Sequence, residues 1–248
     1  MKYHARFEID IVDALSNQLV TAFNSLDRGD FTEGNFRKIP RDQGVYQLYK
    51  QETLVYIGKS GDLPRRLSDH YRKISGRRNI SVEEIGFKCL SVHPNWTALA
   101  PEESLIRYFK NRNSGDCEWN GNSFGPHDPG RNRETTNKPP QGFDAQYPIK
   151  EDWICSTITP GLWNGSVLLR QFKNTLPYLF RYQTIGSLKK GHPDYNDTSI
   201  TIPSVDMKTI DILTEISRQL PSWQATAFPS HMILYKEAKS YDYGKVLE

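Results

Sequence analysis

Only three cysteines occur in 248 residues, an odd number with no C-x-x-C pair among them. Neither a disulfide framework nor a zinc site is supported, and a reducing cytosol is expected. No run of about 18 uninterrupted apolar residues exists. The N-terminal "MKYHARFEIDIVDAL" carries acids where a secretion signal needs an apolar centre, so a soluble intracellular protein, with no membrane partner, is expected. Net charge is also scarce. At +3, the chain as a whole does not announce a polyanionic partner. No internal repeat is present.

What the chain does have is a sizeable apolar share, 37%, with 12% aromatics. Each aromatic ring brings roughly 150–250 Å² of buried area. The length suits one large domain, or one catalytic domain with additions. Charge is unevenly placed. Arg65, Arg66, Arg72, Lys73, Arg77 and Arg78 lie close together against a single acid, Asp69. Such a run is either a solvated helix face or the footprint of a phosphate-backbone binder.

Apolar residues at Ile11, Val12, Leu15, Leu19, Ala22, Phe23 and Leu26 fall at helical spacing and predict an amphipathic N-terminal helix. Gly29 and Gly34 mark its exit. Two short runs, "GVYQLY" and "TLVYIG", then predict an antiparallel hairpin turning around Lys50–Glu52. The register of that hairpin decides where Tyr46 and Tyr56 point. If the two stand opposite each other, as a three- or five-residue loop permits, both rings share a face; a slip of one residue separates them. "SGDLPRRLSDHYRKI" is the next helix, with Asp62 as its N-cap and Leu63, Leu67, Tyr71 and Ile74 as its buried stripe. Arg66 and His70 are expected on the border of that stripe. Ile85–His93 reads as a third strand and Thr97–Lys110 as a second helix. On that helix Glu102 shares a face with Leu99, Leu105, Ile106 and Phe109, a costly place for a carboxylate unless it is paired or holds a metal. Glu103 is expected to be solvated or salt-bridged.

Asn111–Pro148 is rich in Asn, Gly, Pro and Asp and reads as a long loop. Trp119, Phe124, Phe143 and Tyr147 argue against plain disorder. His127 and Asp128 of "GPHDPG" read as a turn rather than a second metal site. Val205–Leu220 regains helical spacing.

These residues resemble the GIY-YIG nucleases. Gly44-Val45-Tyr46 stands for the first motif and Tyr56-Ile57-Gly58 for the second, ten residues on. "RRLSDH" supplies the Arg and His as Arg66 and His70, "EESLI" the carboxylate as Glu102, and "WN" the later Asn as Asn120, after a gap several residues longer than the pattern. The stretch "WNGNSFGPHDPGR" is similar to a loop of small type II restriction endonucleases that cut GC-rich palindromes.

The resemblance implies an α+β fold: a mostly antiparallel three-stranded sheet flanked by helices in residues 41–125. An N-terminal helical extension (1–40), a loop touching DNA (126–150) and a C-terminal region for recognition or dimerisation (151–248) complete it. It implies phosphodiester hydrolysis. Tyr46 would activate water, needing a nearby cation because a free phenol near pKa 10 is a poor base. Arg66 would engage the phosphate with its planar fork of donors. Tyr56 and His70 would bond the phosphate or relay a proton. Glu102 would hold one Mg²⁺ or Mn²⁺, and Asn120 would position a partner. Lys59, Arg65, Arg72, Lys73, Arg131 and Arg133 are candidate DNA contacts.

The leading expectation is a type II restriction endonuclease, cytoplasmic and prokaryotic. It would act on double-stranded DNA as a homodimer, with a cognate methyltransferase as genetic partner. A homing or repair nuclease and a non-catalytic DNA-binding module are the alternatives.

Overall fold

The computed structural model describes residues 3–4, 11–93, 101–112, 116–125, 130, 133–186 and 191–248. Contacts gather the chain into two units, Met1–Tyr71 with Val82–Asn122, and Arg72–Ser81 with Ser123–Glu248.

The first unit begins with α1 (Ile11–Asn24), the two-residue β1 (Gly29–Asp30) and the single turn α2 (Glu33–Phe36). Thr32 caps α2, its hydroxyl accepting from Asn35 N at 3.3 Å. β2 (Gly44–Lys50), β3 (Thr53–Ser60), α3 (Leu63–Ser75), β4 (Ile85–Ser91) and α4 (Pro101–Arg112) follow. Asp62 caps α3, its carboxylate accepting from Arg65 N at 3.1 Å. The chain passes from the first unit to the second within α3, after Tyr71. The helix predicted from Thr97 is described from Pro101 on, and Leu99 lies outside the described residues.

The sheet has four antiparallel strands in the order β1-β4-β2-β3. It gains the short β1 over the expected three because Gly29 and Asp30 pair with Phe87 and Gly86. Alternation sorts its side chains. Val45, Leu54 and Ile57 meet Leu15, Leu19 and Phe23 of α1 and Leu105 of α4. Tyr46 and Leu48 take the opposite face, where α3 buries Leu63 and Leu67 completely. Phe31, Phe36, Tyr71 and Phe87 pack there with ring centroids 4.9–6.2 Å apart. Each buried Leu or Phe contributes about 1.5–3 kcal/mol.

The second unit holds α5 (Gly142–Gln146), β5 (Gly161–Asn164), α6 (Gly165–Thr175), β6 (Leu179–Tyr182), α7 (Pro193–Asn196), β7 (Ser199–Ile202), α8 (Thr209–Gln219), β8 (Gln224–Ala227), β9 (His231–Tyr235) and β10 (Lys245–Leu247). Its main sheet runs β10-β8-β9-β6, with β6 and β9 parallel, and β5 pairs separately with β7. Phe172, Phe180, Tyr195, Ile212, Ile216, Trp223 and Met232 are among its core residues. A buried ion pair joins Arg77 Nη1 to Asp144 Oδ1 at 2.9 Å. The predicted long loop is therefore interrupted: α5 lies inside it, and Phe143 and Tyr147, two of the aromatics that argued against disorder, are buried. Helical spacing over only five residues is too short to register as a pattern.

Candidate active site

The β2–β3 hairpin closes through two residues, Gln51 and Glu52, with Gln51 in the left-handed region at φ 51°. Lys50 pairs with Thr53 and Tyr49 with Leu54, yet Leu48 pairs with Tyr56. Val55 is left over as a β-bulge. Without it, a two-residue turn would set Tyr46 opposite Ile57 and put the two phenols on opposite faces of the sheet. With it, Tyr46 stands opposite Gly58, diagonal to Tyr56 on the same face. The ring centroids are 6.1 Å apart. Tyr46 and Tyr56 are thus not directly paired, as the three- or five-residue loop would have had them. The bulge supplies the even offset instead.

Both motif glycines make room for this arrangement. A Cβ on Gly58 would lie 2.5 Å from Tyr46 Cζ and 2.8 Å from Tyr56 Cε1, because the rings lie over that position. A Cβ on Gly44 would lie 2.7 Å from Leu63 Cδ1, where the N-terminus of α3 crosses the strand.

α3 brings the cation and the imidazole. Arg66 Nε donates to the Tyr46 phenol oxygen at 3.3 Å, and His70 Nε2 lies 2.7 Å from the same oxygen. The His70 ring also sits 5.4 Å from that of Tyr56. His70 is 3% exposed, so it lies within the buried stripe rather than on its border. The Tyr46 hydroxyl gives its nitrogen a partner, which is what allows an imidazole to be buried there. Arg66 is half-buried, as is Glu102 in the first turn of α4, while Glu103 is exposed.

Electrostatics tie the set together. Burial pushes the Tyr46 phenol well above its ordinary value, and neighbouring Tyr56 adds to this; Arg66 opposes it without prevailing. Burial thus makes the Tyr46 phenolate harder to form than that of a free phenol. Burial and then Glu102 raise Tyr56 as well. Burial alone would lower the Arg66 guanidinium, but Tyr46, Tyr56 and Asp69 raise it overall. Burial raises the Glu102 carboxyl and Glu103 adds to that, while Lys59 and Arg66 pull it down. Glu102 is thus coupled to Tyr56, Lys59 and Arg66 at once.

Among the described residues no three His, Cys, Asp or Glu side chains form a group able to hold a metal. One half-buried carboxylate is a hard oxygen donor that suits Mg²⁺ or Mn²⁺, ions that keep several waters and take other ligands from a phosphate. Zinc, which wants three or four N or S ligands, does not fit.

Asn120 stands apart from the rings. Its Oδ1 accepts from Ile57 N at 2.9 Å and its Nδ2 donates to Ile57 O at 2.8 Å. Lys59 and Arg65 are exposed. Arg72 Nη2 donates to the carbonyls of Asn174 and Leu176 at the C-terminus of α6, the latter at 2.7 Å. Lys73 Nζ donates to those of Ser123 and Phe124 at 3.3 and 2.9 Å. Both therefore anchor the second unit's own backbone. Arg133 is half-buried beside a small cavity lined by Asp144, Phe228 and Ser230. Arg131, His127 and Asp128 lie outside the described residues.

Two contributors have no sequence signal, because they act through the backbone: the amides of Cys117 and Trp119, which pair with β3. A third, Arg28, donates to the Gln51 carbonyl and, at 2.6 Å, to the Glu52 carboxylate, clamping the hairpin turn. Nothing in its surroundings in the sequence distinguishes it from a surface arginine.

Residues 42–114 match the GIY-YIG catalytic domain. The matched segment is well under half of the chain. Part of the chain is also similar to curated relatives. UvrABC system protein C of Fervidobacterium nodosum is 43% identical over 74 residues, which is 29% of this chain and 13% of that protein. UvrABC system protein C of Actinobacillus succinogenes is 43% identical over 37 residues, 14% of this chain and 6% of that protein. The chain thus covers only a small part of either relative's length. No helix among the described residues is long and apolar enough to cross a membrane.

Proposed function

We propose that this chain is a metal-dependent DNA endonuclease of the repair type, in preference to a type II restriction enzyme. The observation that carries the nuclease reading is the convergence of Arg66 Nε and His70 Nε2 on one buried phenol oxygen, that of Tyr46. A constellation of phenol, guanidinium, imidazole and nearby carboxylate has the parts for hydrolysing a phosphodiester. The relatives, both UvrABC system protein C, weigh toward the repair-type reading.

In this mechanism Arg66 binds a non-bridging oxygen of the scissile phosphate and keeps its charge throughout. Since Tyr46 rests as a neutral phenol, it passes a proton rather than waiting as a base. His70, with its ring proton on Nδ1, receives the Tyr46 proton at Nε2 as the phenol oxygen takes one from water. Tyr56 donates a hydrogen bond to the phosphate. Glu102 would hold a divalent cation such as Mg²⁺, which supplies charge neutralisation at the leaving oxygen. Lys59 and Arg65 contact flanking phosphates.

The restriction reading is retained for one reason, the resemblance of Trp119–Arg131 to a loop of restriction endonucleases. It brings with it a homodimer and a partner methyltransferase. Incubating the purified protein with supercoiled plasmid and Mg²⁺ tests all of this. Scattered nicks support the repair type, discrete fragments the restriction type, and intact plasmid under all divalent metals overturns the nuclease reading. Glu102→Ala is expected to abolish cleavage while DNA binding by filter retention persists. Metal-dependent cutting by that variant would remove Glu102 from its role.

A further inference from the structure

The edge of β3 carries an arrangement that the chemistry above leaves unexplained. Cys117 N donates to Leu54 O at 2.7 Å, Trp119 N to Val55 O at 2.9 Å, and the Asn120 carboxamide makes both of its bonds to Ile57. Successive carbonyls of a regular strand point to opposite sides. Here those of Leu54 and Val55 both face residues 117–119. That is possible only because Val55 is the bulge residue, and it means the strap formed by residues 117–120 grips the bulge itself. The strap is firmly placed. Trp119 is 1% exposed and Cys117 is fully buried, held at a left-handed φ of 59°.

The bulge sets the offset that puts Tyr46 and Tyr56 on one face. Gln47 and Ile57 are paired across the hairpin, yet the Ile57 amide and carbonyl turn outward to Asn120. Asn120 therefore completes, for a strand at the edge of the sheet, the ladder that a fifth strand would have supplied. We infer that residues 117–120 are a register lock and that Asn120 is a positioning residue. It serves cleavage by holding the bulged register, and so the shared face of the two phenols, without touching phosphate or metal. This rests on the nuclease reading for its effect on cleavage, though not for its effect on the strand.

The test is a cycle of four proteins: wild type, Asn120→Ala, a deletion of Val55, and the two combined. Deleting Val55 leaves Tyr49–Leu54 and Leu48–Tyr56 as consecutive regular pairs, so both phenols keep their face without a lock. Asn120→Ala alone is expected to lower kcat roughly 100-fold, with KM and the Mg²⁺ dependence unchanged. In the Val55-deleted protein the same substitution should cost no more than about twofold. Equal losses in both backgrounds overturn the inference, as does a changed Mg²⁺ requirement in Asn120→Ala. Amide hydrogen exchange provides an arm independent of activity and of whether the deletion folds. Exchange at Ile57 should accelerate in Asn120→Ala while that of β2 amides paired to β4 does not, and an unchanged Ile57 rate refutes the lock. If wild type cuts no DNA, the nuclease reading fails and the exchange measurement still decides the register claim.

Discussion

Tyr46 owes its setting to burial. Its phenol is fully buried, and desolvation disfavours its charged form more strongly than Arg66 favours it. The same physics acts on Glu102 in the opposite functional sense, since a carboxylate must be ionised to hold a cation. Its carboxyl is raised by burial and by Glu103, so the acid limb of a pH–activity profile should lie above the ordinary carboxylate range. Lys59 is the first of the groups pulling it down. Lys59→Ala is therefore expected to move that limb to higher pH, with Mg²⁺ saturation below the midpoint restoring part of the rate. A limb that stays in place would detach Lys59 from Glu102. Gly58 gives a second check at this scale. Gly58→Ala forces its methyl group into the space of both phenol rings. It should cost about 1–3 kcal/mol in unfolding free energy and at least roughly 100-fold in cleavage rate.

Among elements, α3 shows how much of a site can be read in advance. The i, i+4 spacing of Arg66 and His70, the Asp62 cap and the Leu63–Leu67 stripe are all written along one helix, whose periodicity is local. The hairpin was legible as two strands and a turn, but its register was not. A two-residue turn and a ten-residue spacing give opposite parities, and only the bulge at Val55 reconciles them. Asn111–Pro148 hid α5 for a related reason: Phe143 and Tyr147 are buried by partners distant in sequence. There the Arg77–Asp144 pair offers a test. Both side chains are about 2% exposed, so Asp144→Ala leaves a cation buried without its counter-charge. A loss of about 3–5 kcal/mol is expected in denaturant unfolding. Replacing both with apolar residues of similar size should recover most of it, and an Asp144→Ala protein of unchanged stability would show that the pair contributes nothing.

Across the whole molecule, residues 42–114 carry the family match, and the second unit carries a core of its own that no motif announced. Its strands of three to five residues give too little alternation for a pattern to emerge. A polar network also lies inside it. Glu134 Oε1 accepts from Arg181 Nη1 at 2.6 Å and from Tyr235 OH at 3.3 Å, and lies 3.4 Å from His231 Nε2. Burial alone would raise its carboxyl, but His231, the backbone and Arg181 bring it from the ordinary 4.5 down to about 2. A carboxyl depressed on folding stabilises the protein above its unfolded value and loses that contribution as pH falls through the folded one. Stability followed by tryptophan fluorescence should therefore decline between about pH 4.5 and 2. Glu134→Gln should flatten that decline, and a variant with the same acid slope as wild type would place the sensitivity elsewhere.

By itself the sequence determined which chemical groups exist and in what order they come: two phenols ten residues apart, a guanidinium and imidazole one helical turn apart, and a carboxylate on a later helix. These are facts of covalent spacing and helical period, and they were enough to point to the GIY-YIG module. Only the tertiary structure decided that the phenols share a face, that burial pushes the Tyr46 phenol further up, and that Arg72 and Lys73 bond to the protein's own backbone. Each of those depends on hydrogen bonds and burial between segments far apart in the chain, where strand parity and dielectric are set by neighbours that local spacing does not specify.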